Sequence, residues 1–175
     1  MRRPGLPHVT DILAVAGLVD TTWFKEYDLA RGKALHEATH YLDQQDLNWE
    51  TVDPIILGRL RSYQKFLDEV KPEILSVEEA VINEALRYQG TLDRRVRING
   101  REGILDLKGP SRSAWNALQL SMYAACFPRP LARWNLYLSD DNYRLVEHKD
   151  RSDWDVAKAA ITLAAWKEKN GNANH

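Results

Sequence analysis

The chain has 175 residues, 24 Lys+Arg against 25 Asp+Glu, and 44% hydrophobic residues. That length supports one domain, residues 1–169, able to bury about 70% of its unfolded surface, with 170–175 as an unstructured tail. One cysteine, Cys126, excludes a disulfide framework or a four-cysteine zinc or iron–sulfur site and fits a reducing cytoplasm, while the apolar run Ile12 to Val19, bounded by Asp11 and Asp20, is too short for a signal peptide or membrane span.

Thr10 is placed to cap a short helix from Asp11 to Gly17. A longer helix follows from Thr22 to Gln44, its stripe formed by Trp23, Tyr27, Ala30, Ala34, Ala38, Tyr41 and Leu42. It carries Gly32 and His36 on one face. Glycine inside a helix costs about 1 kcal/mol against alanine, and close approach of a backbone or a phosphate is a reason to accept that cost. Asp53-Pro54 reads as N-cap and first residue of a helix that runs to Val70 and is stopped by Pro72. Glu73 to Asn83 is predicted as a strand, with Glu78 and Glu79 on opposite faces. A second strand, from about Leu86, leads into a hairpin.

Asn99-Gly100 marks that hairpin, since both residues tolerate the positive φ of a type I′ turn. A two-residue loop sets Ile98 opposite Arg101, and counting outward sets Asp93 opposite Asp106. Alternation assigns Leu92, Val96, Ile98, Leu105 and Leu107 to a core face, and Asp93, Arg95, Asp106 and Lys108 to the other. Gly109-Pro110 ends the second hairpin strand. Ser113 is placed to cap a helix to Cys126, with Gln119 and Tyr123 on one face. Strands are predicted over 133–139 and 143–148. A last helix over 153–169 buries a stripe that includes Trp154 and Trp166. This order implies an α/β fold: a small mixed central sheet with helices on both faces.

Two aspartates directly across a ladder have Cβ atoms about 4.5–5.5 Å apart, an unfavourable placement for like charges unless a cation lies between them. Mg²⁺ or Mn²⁺ suits such carboxylates. Lys108, two residues beyond Asp106, projects from the same face and can hold a metal-bound water or steady a developing oxyanion. That set suits hydrolysis of a phosphodiester. Arg87, Arg94, Arg95, Arg97, Arg101, Lys108 and Arg112 crowd the hairpin, and predict a local positive field, with Arg95 and Arg112 as candidate phosphate contacts. The plainer reading of these cations is strand-edge charge that discourages aggregation. Trp115, just past the hairpin strand, is the tryptophan best placed to stack on a base.

Gly32-x-x-x-His36, Gly90-x-x-Asp93, Asp106-x-Lys108 and Gln119-x-x-x-Tyr123, in that order, resemble the PD-(D/E)XK nuclease superfamily, and within it the RecB-like exonucleases. That branch includes phage recombination exonucleases and the mitochondrial genome maintenance exonuclease. The resemblance spans residues 9–169 and implies a restriction-endonuclease-like core. It implies that Asp93, Asp106, the Leu107 carbonyl and His36 hold Mg²⁺ or Mn²⁺. It makes Lys108 the residue that positions the attacking water, and Gln119 and Tyr123 contacts to the DNA backbone. An acidic residue on the preceding strand joins such sites, and Glu78 matches it better than Glu79. Leu92 stands where the superfamily name has proline. DNA is the implied substrate, exonuclease the implied activity, and phage recombination or replication proteins the implied partners in a host cytoplasm.

Two other readings compete. His36-Glu37-Ala38-Thr39-His40 fits H-E-x-x-H, the zinc-protease helix, and claims the same His36. Its extended form requires Gly at Asp43 and His at Asp46, and leaves Asp93, Asp106 and Lys108 unexplained. The other is a DNA-binding module without catalysis, against which the intact Asp93, Asp106 and Lys108 argue.

Overall fold

A computed structural model of the chain describes residues 3–19 and 26–171. The elements are α1 (Val9–Val15), α2 (Glu26–Asp43), α3 (Pro54–Val70), β1 (Glu73–Asn83), β2 (Tyr88–Ile98), β3 (Arg101–Lys108), α4 (Trp115–Ala124), β4 (Ala132–Leu138), β5 (Tyr143–Glu147) and α5 (Ser152–Gly171). The five strands form one sheet in the order β1-β2-β3-β4-β5. All neighbours are antiparallel except β3 and β4, which α4 joins as a parallel crossover. Helices cover both faces, as the element order implied. Val9, Leu13, Leu120, Met122 and Ala157 from α1, α4 and α5 pack with Ile104 on one side. Leu35, Leu60, Tyr63 and Phe66 from α2 and α3 pack with Val96, Leu105, Leu107 and Leu136 on the other.

Several ends differ from expectation. α1 starts two residues early with His8 as a cap that makes no side-chain bond, so Thr10 lies inside it. Ala114, not Ser113, caps α4, again without a side-chain bond. Asp53 does cap α3, accepting from Ile55 N at 2.9 Å. α5 extends to Gly171, into the segment expected to be unstructured; residues 172–175 and Thr22 and Trp23 of the predicted second helix lie outside the described residues. It lays Ala157, Ala160 and Ala164 inward, which leaves Trp166 62% exposed instead of in the core.

The hairpin register is the predicted one, Ile98↔Arg101 through Arg94↔Leu105, with Asn99 at φ +50° and Gly100 at φ +76°. Its faces are not. Gly90 lies against α4, where an added Cβ would meet the Tyr123 ring at 2.4 Å, and Leu92 packs in the α4 core. Arg94, four residues from Gly90, faces α2 instead. Alternation therefore reverses at Asp93. β1 reverses beside it: Ser76 and Glu79, three apart, hydrogen-bond each other, and Glu78 between them has φ +50°. Pairing runs Val77↔Arg94 and Glu79↔Leu92 and is interrupted at Glu78 and Asp93. A left-handed residue opposite the interruption turns both strands over, so the single apolar face predicted for Leu92, Val96 and Ile98 is split between two cores.

Arg94 is fully buried and donates to Asp43 Oδ2 at 2.5 Å, Thr39 Oγ1 at 3.0 Å and the Asp93 carbonyl at 2.9 Å. Tyr63 Oη donates to Asp43 Oδ1 at 2.7 Å. This cluster ties α2 and α3 to the reversal point of β2. Asp43→Ala would leave a guanidinium buried without its carboxylate, and urea denaturation is predicted to show a loss of about 3–5 kcal/mol. A loss under 1 kcal/mol, the range of a surface pair, would contradict that role for the cluster.

Candidate metal-dependent active site

The β2–β3 ladder ends at Arg94↔Leu105, one step short of the pairing expected for Asp93 and Asp106, so the two aspartates are not ladder partners. Beyond that point β3 pairs with β4 on its other edge. The Leu107 N–H instead donates to Asp93 Oδ2 at 2.7 Å. The carboxylate takes the place of a backbone acceptor, because an N–H at this depth must be satisfied. Asp93 Oδ1 lies 3.6 Å from His36 Nδ1 on α2.

Asp106 is 3% exposed, on the α4 side of β3. Its Oδ2 receives Asn135 Nδ2 at 2.7 Å and Lys108 Nζ at 2.9 Å. Burial pushes the Asp106 carboxyl up to about 6; Lys108 pulls it down and Asp93 adds to the rise. Burial works against the Lys108 charge, but Asp106 and Asp93 outweigh it, and its pKa is raised. Lys108 is therefore an ammonium, a donor of protons in hydrogen bonds and not a base. It also donates to Gln119 Oε1 at 3.0 Å and lies 5.2 Å above the Trp115 ring centre. Gln119 Nε2 donates to Tyr123 Oη at 3.3 Å. Burial, then Asp106 and Asp93, keep that phenol protonated.

The structure thus brings together His36, Asp93, Asp106, Lys108, Gln119 and Tyr123. Gln119 and Tyr123 are buried at 6% and 5% exposure, so they stand behind Lys108 instead of on a DNA-facing surface. Trp115 is partly covered and forms a platform for Lys108. Glu78 is exposed beside the interrupted pairing and has no hydrogen-bond or ion-pair partner among the described residues, while Glu79 holds Arg95 at 3.0 Å. A Cβ on Gly32 would meet no atom of the described residues within 4 Å, so among them no other backbone approaches it closely.

The expected positive field is largely neutralised. Arg94 is spent on Asp43, Arg95 on Glu79 and Glu102, Arg97 on Glu73, and Arg101 on Glu147. Arg95 is consequently not a free phosphate contact. Arg112 remains exposed, 5.7 Å over the Tyr137 ring. Sequence reasoning also passed over Asn135, buried on β4 opposite Asp106, and no spacing signal marked it.

Among the described residues no group of three or more His, Cys, Asp or Glu is placed so that it could hold a metal ion. Mg²⁺ does not require one: it takes one or two carboxylates and completes its shell with water and substrate phosphate. The donor set fits that habit, since Asp93 and Asp106 each give one oxygen to protein donors and retain Oδ1. It fits zinc poorly. His40 Nε2 is engaged by Gln44 Nε2 at 2.8 Å, and its Nδ1 is buried with no hydrogen-bond partner among the described residues.

No family model matches the chain, and no curated protein matches it. Matching solved structures include one titled "Crystal structure of SSO0001", 17% identical over 93% of this chain and 78% of that chain, with a TM-score of 0.45. Among the described residues no helix is long and apolar enough to cross a membrane.

Asp106 has a folded pKa above its unfolded value, so its protonated form stabilises the metal-free protein. That contribution is full below pH 4 and lost as pH rises to about 6. Metal-free Asp106→Asn should match or exceed the unaltered protein in melting temperature at pH 7.5, with a smaller advantage at pH 4. It should also lose any Mg²⁺-dependent rise in melting temperature. A Mg²⁺ response that survives the substitution would place the cation elsewhere.

Proposed function

We propose that the chain is a Mg²⁺- or Mn²⁺-dependent deoxyribonuclease of the PD-(D/E)XK type, an exonuclease of the RecB-like kind. The reading is carried by the meeting of Asp93, Asp106 and Lys108 where β2 and β3 part, each carboxylate with one oxygen unspent. The four motifs follow one another along the chain in the order the resemblance implies. A divalent cation bound there would supply a Lewis acid for the phosphodiester and a water of lowered pKa.

The protein's own parts divide the work. Asp93 and Asp106 would hold the cation, and His36, whose Nδ1 lies 3.6 Å from Asp93 Oδ1 and whose Nε2 makes no hydrogen bond among the described residues, could join them. Lys108 donates to the attacking water or to a non-bridging oxygen as charge builds on it. Gln119 fixes the ammonium from behind and is itself held by Tyr123. Trp115 shields the other side of Lys108. Phosphate groups of the substrate would complete the cation's shell, with the exposed Arg112 as a candidate contact.

End-labelled linear duplex, circular duplex and single-stranded DNA, incubated with the protein and Mg²⁺, give the direct test. Linear DNA should be degraded, circular DNA spared, and EDTA should stop the reaction. Lys108→Ala should lower kcat by about 10²–10³-fold. Cleavage of casein in zinc, with all DNA untouched, would establish the H-E-x-x-H reading instead.

A further inference from the structure

The contacts behind Asp106 extend past Lys108 and across the next strand. Asn135 is the register partner of Asp106 in the parallel β3–β4 ladder and is 0% exposed. Its Nδ2 donates to Asp106 Oδ2 at 2.7 Å and lies 3.5 Å from the Asp106 carbonyl. With the NH₂ group directed at a carboxylate, Asn135 Oδ1 is left to accept. It faces His148 Nε2 at 2.8 Å, so His148 carries a proton on that nitrogen. His148 follows β5 directly, and its backbone N–H is tied to the Arg133 carbonyl at 2.8 Å. The arrangement is a line of three groups, imidazole to amide to carboxylate, whose donor directions are all determined.

An amide at this depth has a cost. Asn135 sits between the buried Trp134 and Leu136, where an aliphatic residue would pack without desolvating a polar group. What it provides is a neutral donor to one oxygen of Asp106. Lys108 is the other donor to that oxygen, and as a cation it competes with a metal for the same carboxylate. Held by Lys108 alone, the carboxylate could turn and give both oxygens to the ammonium. Asn135 holds Oδ2 against β4, and no hydrogen bond among the described residues engages Oδ1.

We propose that Asn135 is a positioning residue for the cation-binding carboxylate Asp106, and that His148 sets the direction of the Asn135 amide. The proposal rests on the nuclease reading above. Asn135 touches neither cation nor substrate, and its effect is on how tightly the cation is held. Partners in this layer of metal sites typically change affinity by about 10–100-fold when removed.

The test is Mn²⁺ binding by the intact chain, followed by the free-Mn²⁺ electron paramagnetic resonance signal, together with the Mn²⁺ dependence of cleavage. Asn135→Leu removes the donor at similar volume. It should weaken Mn²⁺ binding about 10-fold or more and raise the Mn²⁺ needed for half-maximal cleavage in step, with kcat recovered at saturating Mn²⁺. His148→Leu should weaken binding in the same direction, and His148→Gln, which keeps an N–H donor, should restore it. The His148 pair carries the test if Asn135→Leu fails to fold. Unchanged Mn²⁺ affinity in folded Asn135→Leu, or equal affinity in His148→Leu and His148→Gln, overturns the proposal and leaves the nuclease reading standing. If the unaltered chain binds no Mn²⁺, or Asp106→Asn binds it equally well, the nuclease reading falls and takes this proposal with it.

Discussion

The hydrogen bond from Leu107 N–H to the Asp93 carboxylate is the contact on which the cleft depends. β3 leaves β2 at this point, and its backbone would otherwise bury an unpaired donor. Asp93 fills the gap with one oxygen, and its second oxygen lies 3.6 Å from His36 Nδ1. Burial, and after it the Asp93 charge, raise the Asp106 pKa. Lys108 and Asn135 relieve part of the cost of this buried carboxylate, both at Oδ2. The remaining oxygens are where a divalent cation would complete the compensation.

A second buried group keeps this geometry in place. Arg94 follows Asp93 directly, and its guanidinium bonds both the Asp93 carbonyl and the α2 side chains Thr39 and Asp43. Helix α2 carries His36, so one cation fixes the helix, the strand and the carboxylate in a single unit. The other hairpin arginines are paired across strands and contribute little outward field. On the nuclease reading, grip on DNA then comes from short-range contacts at the cation and at Arg112, not from broad electrostatic steering.

Much of this was legible in the residues because the relevant signals are local. Asn99-Gly100 determines its own turn and, with it, the register from Ile98↔Arg101 to Arg94↔Leu105. Asp53-Pro54 determines the start of α3. Hidden from such reading were features made by contacts distant in sequence. The reversal at Asp93 depends on Glu78, fifteen positions away by number, adopting a left-handed backbone that its residue type does not advertise. Arg95 reads as a phosphate contact until Glu79 and Glu102 are seen on either side of it. Asn135 is one polar residue in an apolar strand, and only the β3–β4 pairing places it behind Asp106. Trp166 fits a helical stripe, but α5 turns its alanines inward and leaves the ring in solvent.

The central claim is that Asp93 and Asp106 share one divalent cation. Anomalous diffraction from crystals of the chain soaked in Mn²⁺ tests it most directly. The account predicts a strong anomalous peak in contact with Oδ1 of both aspartates. A peak held by His36 and His40 with neither aspartate in contact, or Mn²⁺ bound to one aspartate with the other turned away, would contradict it.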